Sequence, residues 1–416
     1  MNNKEFRSAA HEMIDYIVQY YDTIRDRRPL AAVEPGYLRP LMPSSAPTAP
    51  ESFSDIMNDV ERIIQPGMTQ WMSPHFHAYF PSGNSLPSLL GDMLCGALTC
   101  VGFTWEASPA CTELEVIMLD WLAQLIGLPD YFLATSPGSG GGVILSTASE
   151  ATLIAMLAAK QRALKDCVGH QEKAKKAPLL VAYASEMSHS SVERAGLLSS
   201  VQLRLLPTDD TFALRGAALA SAMKHDAELG LIPFCVIVTL GTTASCAFDS
   251  LQEIGEVCRG YSDVWIHVDA AYAGAAFVCE EFRGPMKGVH MADSFNFNPH
   301  KWLLVNFDCS TMWIRKSEEV VDAFRVDPIY LRRQHQANPE APDYRVVHDG
   351  NAFNKRLLKR LNKEGDIHLV ASEARGVYFL RVAVCSRFTE SEDMEFAWRT
   401  IERTTSAMLA EEQRDE

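Results

Sequence analysis

The chain has 416 residues, 47% of them hydrophobic, which is enough to bury one large core with a smaller domain beside it. Its formal net charge is −15 and it has no run of Lys and Arg, which argues against a nucleic-acid-binding or membrane-surface protein. The 10 cysteines include no Cys-x-x-Cys pair, which argues against zinc ribbons and dithiol redox sites.

The first predicted element is an amphipathic helix, because apolar residues recur at three- and four-residue spacing from Phe6 to Tyr21. The Pro-rich connector 29–50 that follows cannot be regular helix. We therefore expect this helix to be held away from the main core, against another subunit. Residues 1–28 are charged throughout and lack an apolar signal core, so a cytoplasmic protein with no membrane partner is expected.

The next elements are a helix from about Thr112 to Gly127 and then alternating strands and helices. The helix has one apolar face, which includes Leu114, Trp121 and Leu125. The strand candidates are residues 179–184, 201–206, 234–240 and 264–268, and the helical segments between them include 214–229 and 251–258. This alternation predicts an α/β fold with a mainly parallel sheet between helices. In such sheets ligands bind at the carboxyl ends of the strands.

A glycine-rich tract at 138–142 precedes the predicted head of an Ala/Leu-rich helix, where Thr147 and Glu150 have the spacing of a capping box. A helix N-terminus without bulky side chains attracts phosphate through its N–H groups and dipole, and Ser149 adds a hydroxyl donor. A plain turn explains the glycines equally well.

Asp269 directly follows the strand 264–268, at the predicted carboxyl edge of the sheet. A buried carboxylate there needs a cationic partner, and a protonated pyridine nitrogen would serve. The alternative is an aspartate that caps the next helix.

Lys301 lies among Asn298, His300 and Trp302 and is followed by an apolar segment. Desolvation and neighbouring cations lower the pKa of an amine, which makes Lys301 a candidate for Schiff-base formation. The alternative is a surface lysine whose stem covers apolar area.

His189 follows the strand 179–184 and begins a helical segment. Its ring could stack on a flat cofactor or transfer protons near neutral pH, although a histidine in a loop can equally be structural. His75 and His77 alternate as in a strand, and nothing nearby completes a set of metal ligands, so no metal site is predicted.

A glycine-rich loop, a strand-end histidine, a strand-end aspartate and a later lysine occur here in the order seen in fold-type I pyridoxal-5′-phosphate (PLP) enzymes. The segments 33–39 (VEPGYLR), 108–115 (SPACTELE), 189–195 (HSSVERA), 267–274 (HVDAAYAG) and 298–302 (NPHKW) are more specific. They resemble the group II PLP-dependent amino-acid decarboxylases, most closely the animal aromatic-L-amino-acid (DOPA) decarboxylases. The resemblance runs almost unbroken to about Arg345.

This resemblance implies a seven-stranded, mainly parallel sheet in a large domain, with a truncated small α/β domain. It divides the chain into an N-terminal helical segment that packs on a partner subunit (1–83), a PLP-binding domain (84–325), a shortened mobile catalytic loop (326–350) and the truncated C-terminal domain (351–416).

The resemblance also implies the roles of individual residues. Lys301 would hold PLP covalently, Asp269 would pair with its pyridine nitrogen, and His189 would stack on its ring. The positions that match other cofactor contacts are Ala148, Ser149, Thr243, Ser294, Asn298 and His300. Those that match the substrate side, together with His189, are Ser82, Val101 and Phe103, of which the last two reach the neighbouring subunit's site in the family. Tyr330 matches the loop tyrosine that returns a proton after CO₂ leaves.

The implied activity is decarboxylation of an aromatic L-amino acid (DOPA, 5-hydroxytryptophan or tyrosine) to the amine, as in catecholamine biosynthesis, by a cytoplasmic homodimer. Related aldehyde synthases tend to replace the stacking histidine or the loop tyrosine, whereas this chain keeps His189 and Tyr330. Histidine decarboxylases typically have Ser where this chain has His300.

After Arg345 the chain departs from the family, because it passes through 346–350 directly to 351–355 and resumes the match only in strands near 367–370 and 378–387 and a helix near 391–409. About half of the small domain is expected to be missing. Because the loss also removes an anchor of the loop that carries Tyr330, a second interpretation is a catalytically impaired PLP-binding isoform that acts through dimerisation. We expect the PLP site to survive and turnover to be reduced.

Overall fold

The computed structural model describes residues 1–80, 82–102, 104–324, 352–374, 377–382 and 390–415. The helices that it describes are α1 (Asn3–Asp22), α2 (Phe53–Asp59), α3 (Leu86–Leu98), α4 (Pro109–Ile126), α5 (Ala148–Ala163), α6 (Gly169–Lys176), α7 (Ser190–Ser199), α8 (Gly216–Glu228), α9 (Leu251–Cys258), α10 (Pro299–Trp302), α11 (Ser317–Phe324), α12 (Ala352–Glu364) and α13 (Ser391–Asp415). The strands are β1 (Gly141–Leu145), β2 (Leu180–Ser185), β3 (Gln202–Leu206), β4 (Ile232–Thr239), β5 (Trp265–Asp269), β6 (Ser294–Phe297), β7 (Ser310–Ile314), β8 (Val370–Ala374) and β9 (Val377–Arg381).

Strands β1 to β7 form a seven-stranded sheet in the order β1-β7-β6-β5-β4-β2-β3, which is the centre of the fold between residues 141 and 314. Strand β7 is antiparallel to β1 and β6, and the other neighbouring pairs are parallel. Strands β2 and β5 are buried along their whole length and β4 nearly so, because helices cover both faces of a parallel sheet and leave only apolar side chains inside. The predicted mainly parallel sheet is confirmed, and each of the four predicted strands overlaps an observed one.

The core face of α4 differs from the apolar face that its sequence suggested. Leu119, Ala123 and Ile126 are at most 2% exposed, whereas Trp121 and Leu125 are 63% and 53% exposed. Because α4 is apolar on most sides, its periodicity could not decide which side faces the core.

The N-terminal helix α1 contacts residues 61–84 through tyrosine hydroxyl groups. Tyr16 donates to Glu61 Oε2 at 2.8 Å, and Tyr20 donates to Gln70 Oε1 at 2.6 Å. Ala9 is the one buried residue of this helix, and Phe6 remains 58% exposed. The helix is therefore present as predicted, but most of its apolar face lies uncovered in the single chain.

Contacts divide the chain into two compact units, one of Met1–Thr99 with Met118–Lys316 and one of Cys100–Ile117 with Ser317–Glu416. In the second unit, β8 and β9 form an antiparallel pair, and α12 and α13 share a small core that includes Leu357, Leu361 and Met408. The two strands and the long helix predicted near the C-terminus are therefore present. The finer division into four segments stays a prediction. No helix among the described residues is long and apolar enough to cross a bilayer.

Candidate active site

The carboxyl ends of the six strands that run in the same direction, β1 to β6, meet at one edge of the large sheet. Strand β1 leads there into α5, β2 into α7, and β6 into the short helix α10, while β4 and β5 end in loops. This topology brings Ser149, His189, Asp269 and Lys301 to the same edge, although up to 152 positions separate them in the sequence.

Asp269, which is buried, and Lys301, which is half-buried, lie at this edge, and their charges influence each other. Asp269 is 3% exposed and accepts a hydrogen bond from the Ala271 N–H at 3.0 Å. Burial raises the pKa of Asp269, and this outweighs the lowering by the Ala271 N–H, Lys301 and His189. Burial also lowers the pKa of Lys301. The charge of Asp269 raises this pKa, but its effect is smaller than that of burial. The amine is thus more often neutral than in water, the form that attacks a carbonyl group.

The short helix α10 places Lys301, because its start is tied to the strand that carries Asp269. Asn298 precedes the helix, and its N–H donates to the Ala271 carbonyl at 3.0 Å. Its side-chain Oδ1 is buried and has no hydrogen-bond partner among the described residues. A buried polar atom of this kind calls for a water molecule or a ligand.

Two histidines at this edge have rings that the backbone orients. His189 precedes α7, and its Nδ1 accepts from the Ser191 N–H at 3.2 Å, which puts the ring proton of the neutral form on Nε2. His300 Nδ1 accepts from the Cys309 N–H at 2.8 Å. Burial and then the charge of Lys301 lower the pKa of His300. His300 is therefore a neutral donor through Nε2 near pH 7.

The N-terminus of α5 has the arrangement of a phosphate site. Thr147 Oγ1 accepts from the Glu150 N–H at 3.2 Å, while the Glu150 carboxylate accepts from the Ser146 N–H at 3.1 Å. The predicted capping box therefore differs in one bond, because the Glu150 carboxylate accepts the N–H of Ser146, the residue before Thr147, instead of the N–H of Thr147. The N–H groups of Ala148 and Ser149 have no hydrogen-bond acceptor in the described chain, so they are available to an anion.

Three stacked aromatic rings, which the sequence patterns did not predict, lie beside Lys301. Phe80 stacks on Tyr272 with ring centroids 4.0 Å apart, and Tyr272 stacks on Trp302 at 5.1 Å. Lys301 Nζ is 5.2 Å from the centroid of the Phe80 ring. The positions of Tyr272 and Trp302, three residues after Asp269 and one after Lys301, were the available signal.

Asp249, which no sequence pattern marked, is another buried carboxylate and is bonded to the carboxyl end of β4. Its two oxygens accept the N–H groups of Leu214 and Thr239, both at 2.8 Å. Burial and, to a smaller extent, the charge of Asp269 raise the pKa of Asp249 to about 7, against the lowering by these two N–H groups.

Ser294 is one predicted cofactor contact that the structure does not bring to this edge. It is the first residue of β6 and pairs in register with His267, so it lies at the other end of that strand from Asn298. Its Oγ accepts from the Trp265 indole N–H at 2.8 Å and lies 2.8 Å from His267 Nδ1. These bonds give Ser294 a structural role inside the sheet instead of a cofactor contact.

The remaining candidates are less well placed. Thr243 is exposed in the loop after β4, and Ser82 is half-buried in the first unit. Val101 is 47% exposed and belongs to the second unit. Phe103 and Tyr330 lie outside the described residues.

The groups at the carboxyl edge fit PLP chemically. The α5 N-terminus can accept the phosphate, and the buried Asp269 lacks a fully compensating cation, which a pyridine N–H would supply. The lowered pKa of Lys301 suits Schiff-base formation with an aldehyde.

Comparisons with known proteins agree with this chemistry. The model of the pyridoxal-dependent decarboxylase conserved domain matches residues 35–353. Aromatic-L-amino-acid decarboxylase of Manduca sexta is 48% identical over 468 residues, which cover 96% of this chain and 92% of that protein. The protein of the same name from Cavia porcellus is 45% identical and covers 98% of this chain and 99% of its own length.

Solved structures show the same fold. The structure of Oryza sativa TDC with PLP and tryptamine matches with a TM-score of 0.78 and 32% identity, over 98% of this chain and 99% of that one. Catharanthus roseus tryptophan decarboxylase in complex with L-tryptophan matches with a TM-score of 0.76 and 33% identity over the same shares. Rhodiola rosea 4-hydroxyphenylacetaldehyde synthase matches with a TM-score of 0.74 and 29% identity.

The comparisons also show that this chain is internally shorter than its relatives. The alignment with the Manduca sexta protein is 468 residues long against 416 in this chain, so at least 52 residues of the relative lie opposite gaps. The family match ends at residue 353, near the predicted break at 346–350. The shortening is confirmed, and its position stays a prediction.

Proposed function

We propose that this chain, which belongs to the pyridoxal-dependent decarboxylase family, converts aromatic L-amino acids to the amine and CO₂. PLP is the cofactor, and when bound it accepts the electron pair that CO₂ leaves behind. The observation that carries the proposal is the buried Asp269 at the same sheet edge as the half-buried Lys301, which lies beside the aromatic stack. The names of the Manduca sexta and Cavia porcellus relatives support the reaction and the substrate class.

The residues at the edge would divide the work as follows. The Lys301 amine, kept partly neutral by burial, would hold PLP covalently through the cofactor's aldehyde group. Asp269, held by the Ala271 N–H, would keep the pyridine nitrogen protonated. His189 presents its ring to the cofactor from a fixed orientation.

Other residues would bind the phosphate and the substrate. The N–H groups of Ala148 and Ser149 hold the phosphate at the head of α5, and Asn298, His300 and Thr243 complete the polar surface. The stack of Phe80, Tyr272 and Trp302 offers a flat apolar face to an aromatic ring. Ser82 is proposed for the substrate side, and the family resemblance implies that Val101 and Phe103 would reach the neighbouring subunit's site.

Plain decarboxylation is favoured over aldehyde synthesis, although the Rhodiola rosea relative is named as an aldehyde synthase. The chain keeps both His189 and Tyr330, and we propose that Tyr330 returns the proton to the carbon from which CO₂ has left. His300, in the place of the serine typical of histidine decarboxylases, favours an aromatic substrate.

A homodimer is part of the proposal, because a single chain leaves large apolar surfaces uncovered. Leu90, Leu94 and Leu98 of α3 are 58–66% exposed, and no residue of that helix is buried. Patches of this kind mark protein interfaces. We place the dimer in the cytoplasm and its product in catecholamine biosynthesis.

A second candidate function follows from the shortening of the chain: a PLP-binding subunit with impaired turnover that acts through dimerisation. At least 52 residues of the Manduca sexta relative have no counterpart here, and the break is predicted close to the loop that carries Tyr330. A proton donor displaced by about 1 Å can lower a rate by ~100-fold. We expect PLP attachment to be intact and turnover to be reduced.

One experiment separates these functions. Purified protein is loaded with PLP, its visible spectrum is recorded, and the attachment site is trapped with borohydride and mapped by mass spectrometry. Lys301→Ala should abolish trapping, whereas Lys287→Ala, which removes an exposed lysine, should not. Trapping at another lysine would refute the site.

Addition of DOPA then distinguishes the activities. CO₂ without hydrogen peroxide indicates a decarboxylase, and CO₂ with peroxide indicates an aldehyde synthase. Trapped PLP without CO₂ supports the impaired subunit, while turnover at the rate of a full-length relative would refute the impairment.

A further inference from the structure

An open cavity of about 460 Å³ lies at the edge of the large sheet opposite the candidate active site. It is located where β5 and β6 begin and where β7 ends. Its walls carry three arginines and one histidine, namely Arg162, Arg259, Arg315 and His290, together with Asp263 and Asp293. The proposed function uses none of these residues.

Two of the guanidinium groups are anchored on the same residue. Arg315 Nη1 donates to the His290 carbonyl at 3.4 Å, and its guanidinium lies 4.4 Å from the centroid of the Tyr131 ring. Arg259 Nη2 lies 3.5 Å from His290 Nε2. His290 thus contacts two positively charged groups that line the same cavity, and an anion bound in the cavity would stabilise both charges.

The acidic residues of the cavity are already engaged. Asp293 accepts from Arg162 at 2.7 Å and from the Ile266 N–H at 2.8 Å. Asp263 is paired with Lys165 at 3.8 Å. Arg259 and Arg315, by contrast, have no carboxylate partner among the described residues. The cavity therefore has uncompensated positive charge.

We propose that this cavity binds a phosphate-bearing small molecule between Arg259 and Arg315. A planar guanidinium group can bind two phosphate oxygens at once through two parallel hydrogen bonds. The volume of the cavity lies in the range of small-molecule sites. Arg162, stacked 4.2 Å from the Trp265 ring and bound to Asp293, forms the rigid wall. The site is distinct from the head of α5, because Arg162 lies near the other end of that 16-residue helix, roughly 20 Å away.

The test uses the PLP-loaded enzyme, so that the head of α5 is already filled, and inorganic phosphate as the probe. Thermal unfolding and isothermal titration calorimetry are followed as phosphate is added, with chloride at matched ionic strength as the reference. We expect saturable stabilisation by phosphate. In Arg259→Gln/Arg315→Gln, the affinity should fall roughly tenfold or more for each guanidinium removed.

Two further variants keep the result interpretable. Arg62→Gln removes a guanidinium that is 71% exposed elsewhere in the same unit, and it should leave phosphate binding unchanged. Arg259→Lys/Arg315→Lys keeps the charge but loses the planar fork, and it should bind more weakly than the parent even if the glutamine variant fails to fold. An equal response to chloride, or unchanged phosphate affinity in the lysine or glutamine variants, would overturn the proposal.

Discussion

Replacement of Asp269 by asparagine tests the centre of the proposed site, because it removes the charge and keeps the shape. The amide oxygen introduced by Asp269→Asn can still accept the Ala271 N–H, which the Asp269 carboxylate bonds at 3.0 Å. Among the described residues, Asp269 is the group whose charge raises the pKa of Lys301, so the variant should lower that pKa further.

The substitution should have opposite effects on the stability of the apo-protein and on its affinity for the cofactor. Burial raises the pKa of Asp269, so its ionised form destabilises the apo-protein, and the neutral amide should leave the free energy of unfolding unchanged or higher by about 1 kcal/mol. In the loaded enzyme the protonated pyridine nitrogen loses its buried anionic partner. Breaking such a pair costs about 3–5 kcal/mol, which corresponds to a roughly 100- to 5000-fold loss in PLP affinity or turnover.

The pH dependence has a definite sign. Because the folded pKa of Asp269 is raised, its contribution to stability is complete below the unfolded pKa and is lost as pH rises through the folded pKa. The thermal stability of apo Asp269→Asn relative to the parent should therefore increase as pH rises above about 4.

Thermal unfolding of the apo-protein, a PLP titration and steady-state CO₂ release measure these effects. Asp210→Asn, at an exposed position, is the matched control and should change none of them. An Asp269→Asn enzyme that binds PLP and turns over like the parent would refute the assignment of Asp269 to the pyridine nitrogen.

The other predictions concern packing, acid stability and substrate binding. Gly274→Ala puts a Cβ 2.3 Å from Phe297 Cβ and should lower the free energy of unfolding, measured in urea, by about 1–3 kcal/mol. Gly284→Ala, whose Cβ meets no atom of the described residues within 4 Å, should be tolerated, and equal effects of the two substitutions would contradict this packing. Burial lowers the pKa of His267 to about 3, so the contribution of its neutral ring to stability is lost as pH falls below the unfolded pKa. Between pH 7 and 5 the free energy of unfolding of the parent should fall by about 2 kcal/mol more than that of His267→Gln, and equal pH dependence of the two proteins would count against a buried neutral ring. Phe80→Leu removes a ring from the stack and should raise the KM for DOPA roughly 2- to 10-fold, while PLP attachment stays intact. An unchanged KM would exclude the stack from substrate binding.

Much of the fold could be predicted from local patterns. Strands β2, β4 and β5 are near-continuous apolar segments, and α9 spans the predicted residues 251–258. These elements were predictable because burial on both faces of a parallel sheet requires apolar residues along the whole strand. The α4 face was not predictable, because which apolar side is buried depends on its neighbours in space.

In the candidate site, too, some features follow from local sequence patterns and others depend on neighbours in space. Local patterns were sufficient to predict that His189, Asp269 and Lys301 share one edge, since polar residues directly after buried strands lie at the carboxyl edge of a parallel sheet. The bonds of Ser294 inside the sheet and the stacking of Phe80 on Tyr272 could not be predicted in this way. A strand end specifies an edge of the sheet, whereas side-chain contacts and desolvation depend on groups that are distant in the chain.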